Sequence, residues 1–96
     1  MIGVVAQLKV KAGSEAQFEA VVKELQKAVN AGEPGCALYE CFRVKDAEGV
    51  YVFMEKYVDQ AAVEAHRASD HFRTLGRQMG PFLDGAPVIT RMDSLE

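Results

Sequence analysis

Several classes of protein are excluded by what this chain lacks. It has two cysteines in 96 residues, Cys36 and Cys41. There is no C-x-x-C and no H-E-x-x-H pattern, so neither a disulfide framework nor a spaced metal site is expected. Both cysteines fall in one expected strand. Five residues of strand put their Cα atoms about 16 Å apart and on opposite faces, against the roughly 7 Å that a disulfide spans. Basic residues are not in excess: 11 Lys and Arg stand against 14 Asp and Glu, for a net charge of −3. They form no stripe, which argues against nucleic acid and anionic membranes as partners. No apolar run approaches the roughly 20 residues of a transmembrane helix. The apolar start, Met1 to Ala6, is too short for a signal peptide and carries no basic n-region. The cytoplasm is the expected location.

What is present is a globular composition, 49% hydrophobic and 26% charged. The length suits one domain over residues 1–96. A chain this short buries a limited core by itself, so a partner subunit is expected. Leu95-Glu96 reads as a cloning scar and enters no element.

Residues Ile2 to Val10 are apolar and β-branched on alternate positions, which predicts a strand. Gln7 is its polar residue, either an exposed side chain or a hydrogen-bonding group aimed into a pocket. Ser14 followed by Gln17 fits a capping box. Phe18, Val21, Val22, Leu25 and Val29 then follow helical spacing to about Ala31, with Gly32 as the expected C′ residue. Cys36–Lys45 and Val50–Val58 read as two strands joined by a hairpin-length turn at Asp46–Gly49. Both have apolar residues on both faces, so both faces of the sheet are expected to be covered. One set of helices covers one face, and a second copy of the sheet is the simplest cover for the other.

Asp59 is an expected N-cap for the next helix, and Ser69 or Asp70 restarts it. Phe72, Leu75, Met79 and Leu83 recur at spacings of three and four. The stripe suits a helix packed on a core, and it also suits a pocket lining. Gly80-Pro81 ends the helix, and Val88 to Met92 is a last strand. The order β-α-β-β-α-β, with the second helix in two pieces, predicts a ferredoxin-like α+β domain with an antiparallel sheet.

The only two histidines lie in the broken helix. His66 shares a face with Val63 and Ala62, so it is expected to point inward. It also sits near a helix end, which favours imidazolium, whereas His71 sits in a first turn, which favours the neutral ring. Such a pair suits proton transfer at neutral pH. An inward His is equally what a hydrogen-bonded core residue looks like. Five residues apart on one continuous helix, the two are poorly placed for one metal. A break between them changes that geometry, but no third ligand stands out in the sequence.

Glu33-Pro34-Gly35-Cys36 leading into Tyr39-Glu40, then Glu55-Lys56-Tyr57, Ala65-His66, Ser69-Asp70-His71-Phe72, Gly80-Pro81 and Gly85-Ala86-Pro87 form an ordered set over essentially the whole chain. The set resembles the antibiotic biosynthesis monooxygenase superfamily. The resemblance implies a homodimeric α/β barrel built through the sheet face. It also implies a cofactor-independent monooxygenase that oxidises a quinol, or a related phenolic or polycyclic aromatic substrate, with O₂. It places His66 at the chemistry with His71 second. On this reading His66 is the base, Tyr57 donates a hydrogen bond to the substrate oxyanion with Tyr39 or Gln7 as further donors, and His71 orients substrate or shuttles the proton. Phe53, Phe72, Leu75 and Met79 would line the pocket. The absence of tryptophan, with Gln7 where an Asn would stand, departs from the haem-degrading branch. Tyr57 is similar to an isomerase branch, so an isomerase or other proton-transfer enzyme is one alternative. A non-catalytic small-molecule-binding or stress-response domain is the other.

Overall fold

The structure is a computed structural model that describes residues 1–95. Glu96, half of the suspected scar, lies outside the described residues. Strand β1 (Ile2–Lys9) is followed by helix α1 (Glu15–Gly32), strands β2 (Cys36–Arg43) and β3 (Val50–Tyr57), helices α2 (Gln60–Ala68) and α3 (Asp70–Met79), a single 3₁₀ turn at Gly80–Phe82, and strand β4 (Val88–Asp93). The sheet order is β2-β3-β1-β4, and every pairing is antiparallel. This is the ferredoxin-like α+β fold expected from the order of elements. The four strands form an open sheet that does not close on itself.

Alternation along the strands decides which face is inside. Val4, Ala6 and Leu8 of β1, Tyr39 of β2, and Tyr51, Phe53 and Tyr57 of β3 are buried. They meet Phe18, Val22, Leu25 and Val29 of α1, Val63 of α2 and Met79 of α3. The opposite face keeps Leu38, Phe42, Met54, Val88 and Met92 between 40% and 66% exposed. Helices therefore cover one face only.

Three local expectations are corrected. The Ser14–Gln17 capping box does not form: Ser14 makes no side-chain cap bond and turns through its backbone N–H to the Lys11 carbonyl. Gly32 is the last helical residue and has no positive φ, so Glu33 is the C-cap. The register of β2 on β3 shifts between Cys36 and Leu38, a bulge of one residue. Cys36 and Cys41 consequently share the inner face, opposite Tyr57 and Phe53 respectively, and both are free thiols.

The caps that break the second helix form as the sequence suggests. Asp59 accepts from the Ala62 N–H at 2.9 Å. Ser69 ends α2 and caps α3. Its hydroxyl donates to the His66 carbonyl at 2.7 Å and accepts from the Phe72 N–H at 3.2 Å. No helix among the described residues is long and apolar enough to cross a membrane.

Candidate active site

The break at Ser69 turns the last turn of α2 and the first turn of α3 towards the end of α1, and a carboxylate waits there. Both oxygens of Glu33 lie 3.0 Å from His66 Nδ1, and Oε2 lies 2.5 Å from His71 Nε2. The cluster is largely withdrawn from water, with side-chain exposures of 4% for His66, 10% for Glu33 and 25% for His71. A carboxylate at the C-terminal end of a helix faces the negative end of the macrodipole. Two ring N–H groups offset that cost. A carboxylate has no hydrogen to give, so the ring nitrogens donate: Nδ1–H of His66 and Nε2–H of His71. Gly35 brings the parts this close. A Cβ at this position would stand 2.7 Å from that of Ala62 on α2, and the Gly35 carbonyl accepts from the Val58 N–H at 2.9 Å.

With Nδ1 committed to Glu33, Nε2 is the nitrogen His66 keeps for other work. It has no protein partner among the described residues, and no fully enclosed side-chain N or O among them lacks one, so Nε2 keeps an opening. His66 lines a cavity of about 210 Å³ between α2, α3 and the β1–β4 side of the sheet. Val4, Tyr57, Val63, Phe72 and Ile89 form its apolar wall, and Glu55, Arg67 and Arg91 bring charge to it. The cavity exists because β4 is exposed along its whole length, with no helix laid over it. The rings of Phe72, Tyr39 and Tyr57 stand 4.6, 5.1 and 5.5 Å from the His66 ring and hold it.

Glu55 is the second proton-carrying group here. It lies on the inner face of β3, in register with Val4 and Tyr39. Burial raises its pKa above the usual carboxylate range, against the lowering effects of the Tyr57 hydrogen bond and the nearby His66. Tyr57 donates its hydroxyl hydrogen to Glu55 Oε1 at 2.6 Å. Burial, then this bond, push the Tyr57 hydroxyl far above the ordinary phenol range.

The expected site residues divide. His66, Tyr57 and Phe72 line the cavity. Tyr39 packs against the His66 ring from beneath and is 4% exposed. His71 lies on the far side of Glu33, in an outer cleft of about 240 Å³ with Pro34, Cys36 and Ala65. Phe53 and Met79 are buried in the main core, and Leu75 packs against it; these three fill the interior and do not line the cavity. Gln7 is exposed on the opposite face of the sheet, in register with Val52 and Val88. It cannot reach the cavity. Tyr57 has given its one hydrogen to Glu55, so it holds that carboxyl in place of donating to a substrate oxyanion.

Sequence reasoning passed over Glu33, Glu55, Arg67 and Arg91 as chemistry. Glu55 carried a signal: an acid between Phe53 and Tyr57 on an inward strand face. Glu33 carried none beyond its place before Pro34-Gly35. It is also the third ligand-type side chain absent from the sequence reading. Donor atoms of Glu33, His66 and His71 all lie within 4.8 Å of one another, a spacing within reach of one metal ion.

A cleft of about 300 Å³ between α1 and β2 is lined by Phe18, Glu19, Gln26, Arg43 and Tyr51. Three of its polar groups are already spent on one another: Glu19 accepts from Arg43 Nη2 at 2.8 Å and from the Tyr51 hydroxyl at 2.5 Å, and Gln26 Oε1 accepts from the Cys41 N–H at 2.6 Å. It offers a ligand little beyond shape.

Comparison with known proteins places the whole arrangement. The family model described as antibiotic biosynthesis monooxygenase matches residues 1–78. A Bacillus subtilis strain 168 protein named "Putative monooxygenase YcnE" is 33% identical over 73 residues, covering 76% of each chain. A Caulobacter crescentus CB15 structure, named a "putative antibiotic biosynthesis monooxygenase", is 45% identical. It superposes with a TM-score of 0.96 over 99% of this chain and 90% of that one. A further crystal structure named antibiotic biosynthesis monooxygenase is 27% identical, with a TM-score of 0.92 over 100% of both chains.

Proposed function

The chain belongs to the antibiotic biosynthesis monooxygenase family, and from that premise we propose that it is a cofactor-independent monooxygenase that oxidises a single-ring quinol or related phenol with O₂. The observation that carries this reading is His66 itself. It is a buried imidazole, fixed through Nδ1 by a carboxylate, with no protein partner on its other nitrogen, and its ring lines a cavity with an apolar wall and charged groups beside it. The volume, about 210 Å³, lies below the roughly 300–1,000 Å³ of sites for drug-sized ligands, which favours one ring over a polycyclic substrate.

To reduce O₂ without a cofactor, the substrate must first become electron-rich, and losing a hydroxyl proton does this. A phenol near pKa 10 and a His near 6.5 differ by about 3.5 units, roughly 5 kcal/mol against the transfer. A guanidinium about 4 Å from the phenolate returns roughly 4 kcal/mol at an effective dielectric near 20. Arg67 and Arg91 line the cavity and supply that charge, in place of the Tyr and Gln donors expected from sequence. In this mechanism His66 Nε2 takes one hydroxyl proton, and Glu33 stabilises the imidazolium. Glu55 Oε2 accepts from the second hydroxyl of a quinol. His71 holds Glu33 in place through its Nε2–H, and the imidazolium of His66 returns its proton to the oxygen that leaves as water. The phenolate gives one electron to O₂. The radicals join at a ring carbon, and loss of water leaves a hydroxyquinone, so that quinol and O₂ yield hydroxyquinone and H₂O. The exposed apolar sheet face supports a homodimer through that face, and we assign the protein to the cytoplasm.

The test is O₂ uptake by purified protein with single-ring quinols and with anthrones, without added metal or flavin. Uptake on single-ring quinols that drops roughly 10²–10⁴-fold in His66→Ala is the expected result. Uptake that survives that substitution overturns the base role. No uptake on any substrate overturns the oxygenase reading and leaves a proton-transfer enzyme on the same His66–Glu55 cavity.

A further inference from the structure

The Glu33–His66–His71 cluster is more than an orienting device for one base. We propose that Glu33, His66 and His71 form a binding site for a divalent first-row transition metal, with Zn²⁺ as the best-suited ion. Two imidazoles and a carboxylate are a donor set that such ions take in proteins, leaving further positions for water or ligand.

Three features support a site over a chance cluster. The ligands come from three separate elements, the end of α1, the last turn of α2 and the first turn of α3, and each is fixed locally. Glu33 is the α1 cap and its backbone N–H bonds to Val29. The His66 carbonyl and the start of α3 are both tied to Ser69. The His66 ring is clamped by Phe72, Tyr39 and Tyr57. The donor atoms lie within 4.8 Å of one another, whereas two bonds of about 2.1 Å span at most about 4.2 Å. Bonds of that length at tetrahedral angles set donors about 3.4 Å apart, so the widest pair has to close by up to about 1.4 Å to meet at one ion. His71, a quarter exposed, is the ligand free to adjust. Finally, Glu33 and His71 line the outer cleft of about 240 Å³, which gives the ion a way in and room for its remaining ligands.

The hydrogen bonds of the metal-free cluster are compatible with this role. The ion takes the place of the two hydrogens that now join the rings to Glu33, and each neutral ring carries its hydrogen on the nitrogen that faces away from the ion. It also has a consequence for the proposed base. Once Nδ1 of His66 holds a metal, the ring hydrogen moves to Nε2. The nitrogen that was an acceptor in the inner cavity becomes a donor, and a bound metal switches proton abstraction off. This consequence rests on the monooxygenase reading; the metal site does not.

Metal-stripped full-length protein titrated with Co²⁺, followed by its visible absorption bands, and then with Zn²⁺ by calorimetry tests the site without any substrate. The expected result is about one ion per chain at roughly micromolar concentrations, weakened tenfold or more in His71→Ala and in Glu33→Gln. His71→Ala keeps the Glu33–His66 bond, so a folding defect in Glu33→Gln leaves the test intact. No cobalt bands and no heat with Zn²⁺, or binding unchanged in both variants, overturns the proposal. Zn²⁺ bound with these losses but O₂ uptake unaffected keeps the metal site and overturns the base role of His66 instead.

Discussion

Both oxygens of Glu33 lie 3.0 Å from Nδ1 of His66, although 33 residues separate the two in sequence. The approach depends on how closely the segment after α1 runs against α2, and Gly35 sets that distance. Gly35→Ala puts a methyl group 2.7 Å from Ala62 Cβ. We expect a loss of about 1–3 kcal/mol in stability from this overpacking, with α2 pushed away from Glu33. Urea denaturation measures the first effect. The shift of the His66 ring resonances measures the second. A variant as stable as the parent shows that the loop yields freely.

Tyr57 is 1% exposed and its hydroxyl donates to Glu55. Tyr57→Phe keeps the ring against His66 and removes only the donor. A carboxyl left without its partner in a desolvated place costs about 1–3 kcal/mol. Equilibrium unfolding at neutral pH is the check, and an unchanged midpoint means that water replaces the phenol at no cost.

Burial raises the folded-state pKa of Glu55 above its value in the unfolded chain. The unfolded state therefore gives up its proton first as pH rises. The stability tied to this group is complete below the unfolded value, near 4.3, and is lost as pH climbs through the folded one. Glu55→Gln cannot ionise, so its stability relative to the parent should rise between pH 4.5 and 7.5. Paired urea curves at the two pH values give the sign, and a fall in place of a rise sinks the argument.

The two thiols should be sluggish. Burial, with help from the Glu33 charge, pushes Cys36 up to about 11, and burial, then Glu19, pushes Cys41 up to about 12. Against an ordinary thiol near 8.5, the thiolate fraction at pH 8 falls by roughly 100-fold or more. Iodoacetamide should label both far more slowly in native protein than in urea. Equal rates in the two states contradict this.

The outer sheet face is the expected dimer surface. Phe42 stands in register with Val52, and Met54 with Val5. Phe42 and Met54 are 42% and 44% exposed. Phe42→Glu with Met54→Glu places two charges on a face that a stable pair of subunits must desolvate. Sedimentation velocity should show a dimer for the parent and a monomer for the double variant. A parent that is monomeric at all concentrations refutes the pairing.

Local rules were enough for the frame of the molecule. Period-two alternation marked the first three strands, and helical spacing marked α1. Asp59 and Ser69 were readable as caps because a cap is decided by residues within one turn of it. The two-sided apolar character of β2 and β3 also pointed to an outer face that needs a cover. In the same way, His66 was legible as inward-facing from Val63 and Ala62 alone.

Only the tertiary structure decided what His66 faces. Its partner lies at the end of another helix, in a position where a glutamate reads as solvent-exposed, and nothing within a turn of Glu33 marks it. The bulge after Cys36 moved that thiol to the inner face, a change made by pairing with β3 that strand periodicity does not contain. The same limit applies to Gln7, Phe53, Leu75 and Met79. Sequence shows which residues are polar or apolar, but a cavity is a gap left among helices and strands brought together from across the chain. Here the gap opens because β4 has no helix over it, and it takes in Glu55, Arg67 and Arg91. Spacing along a chain encodes faces; the meeting of faces from distant elements is a packing outcome, and the site is made of such meetings.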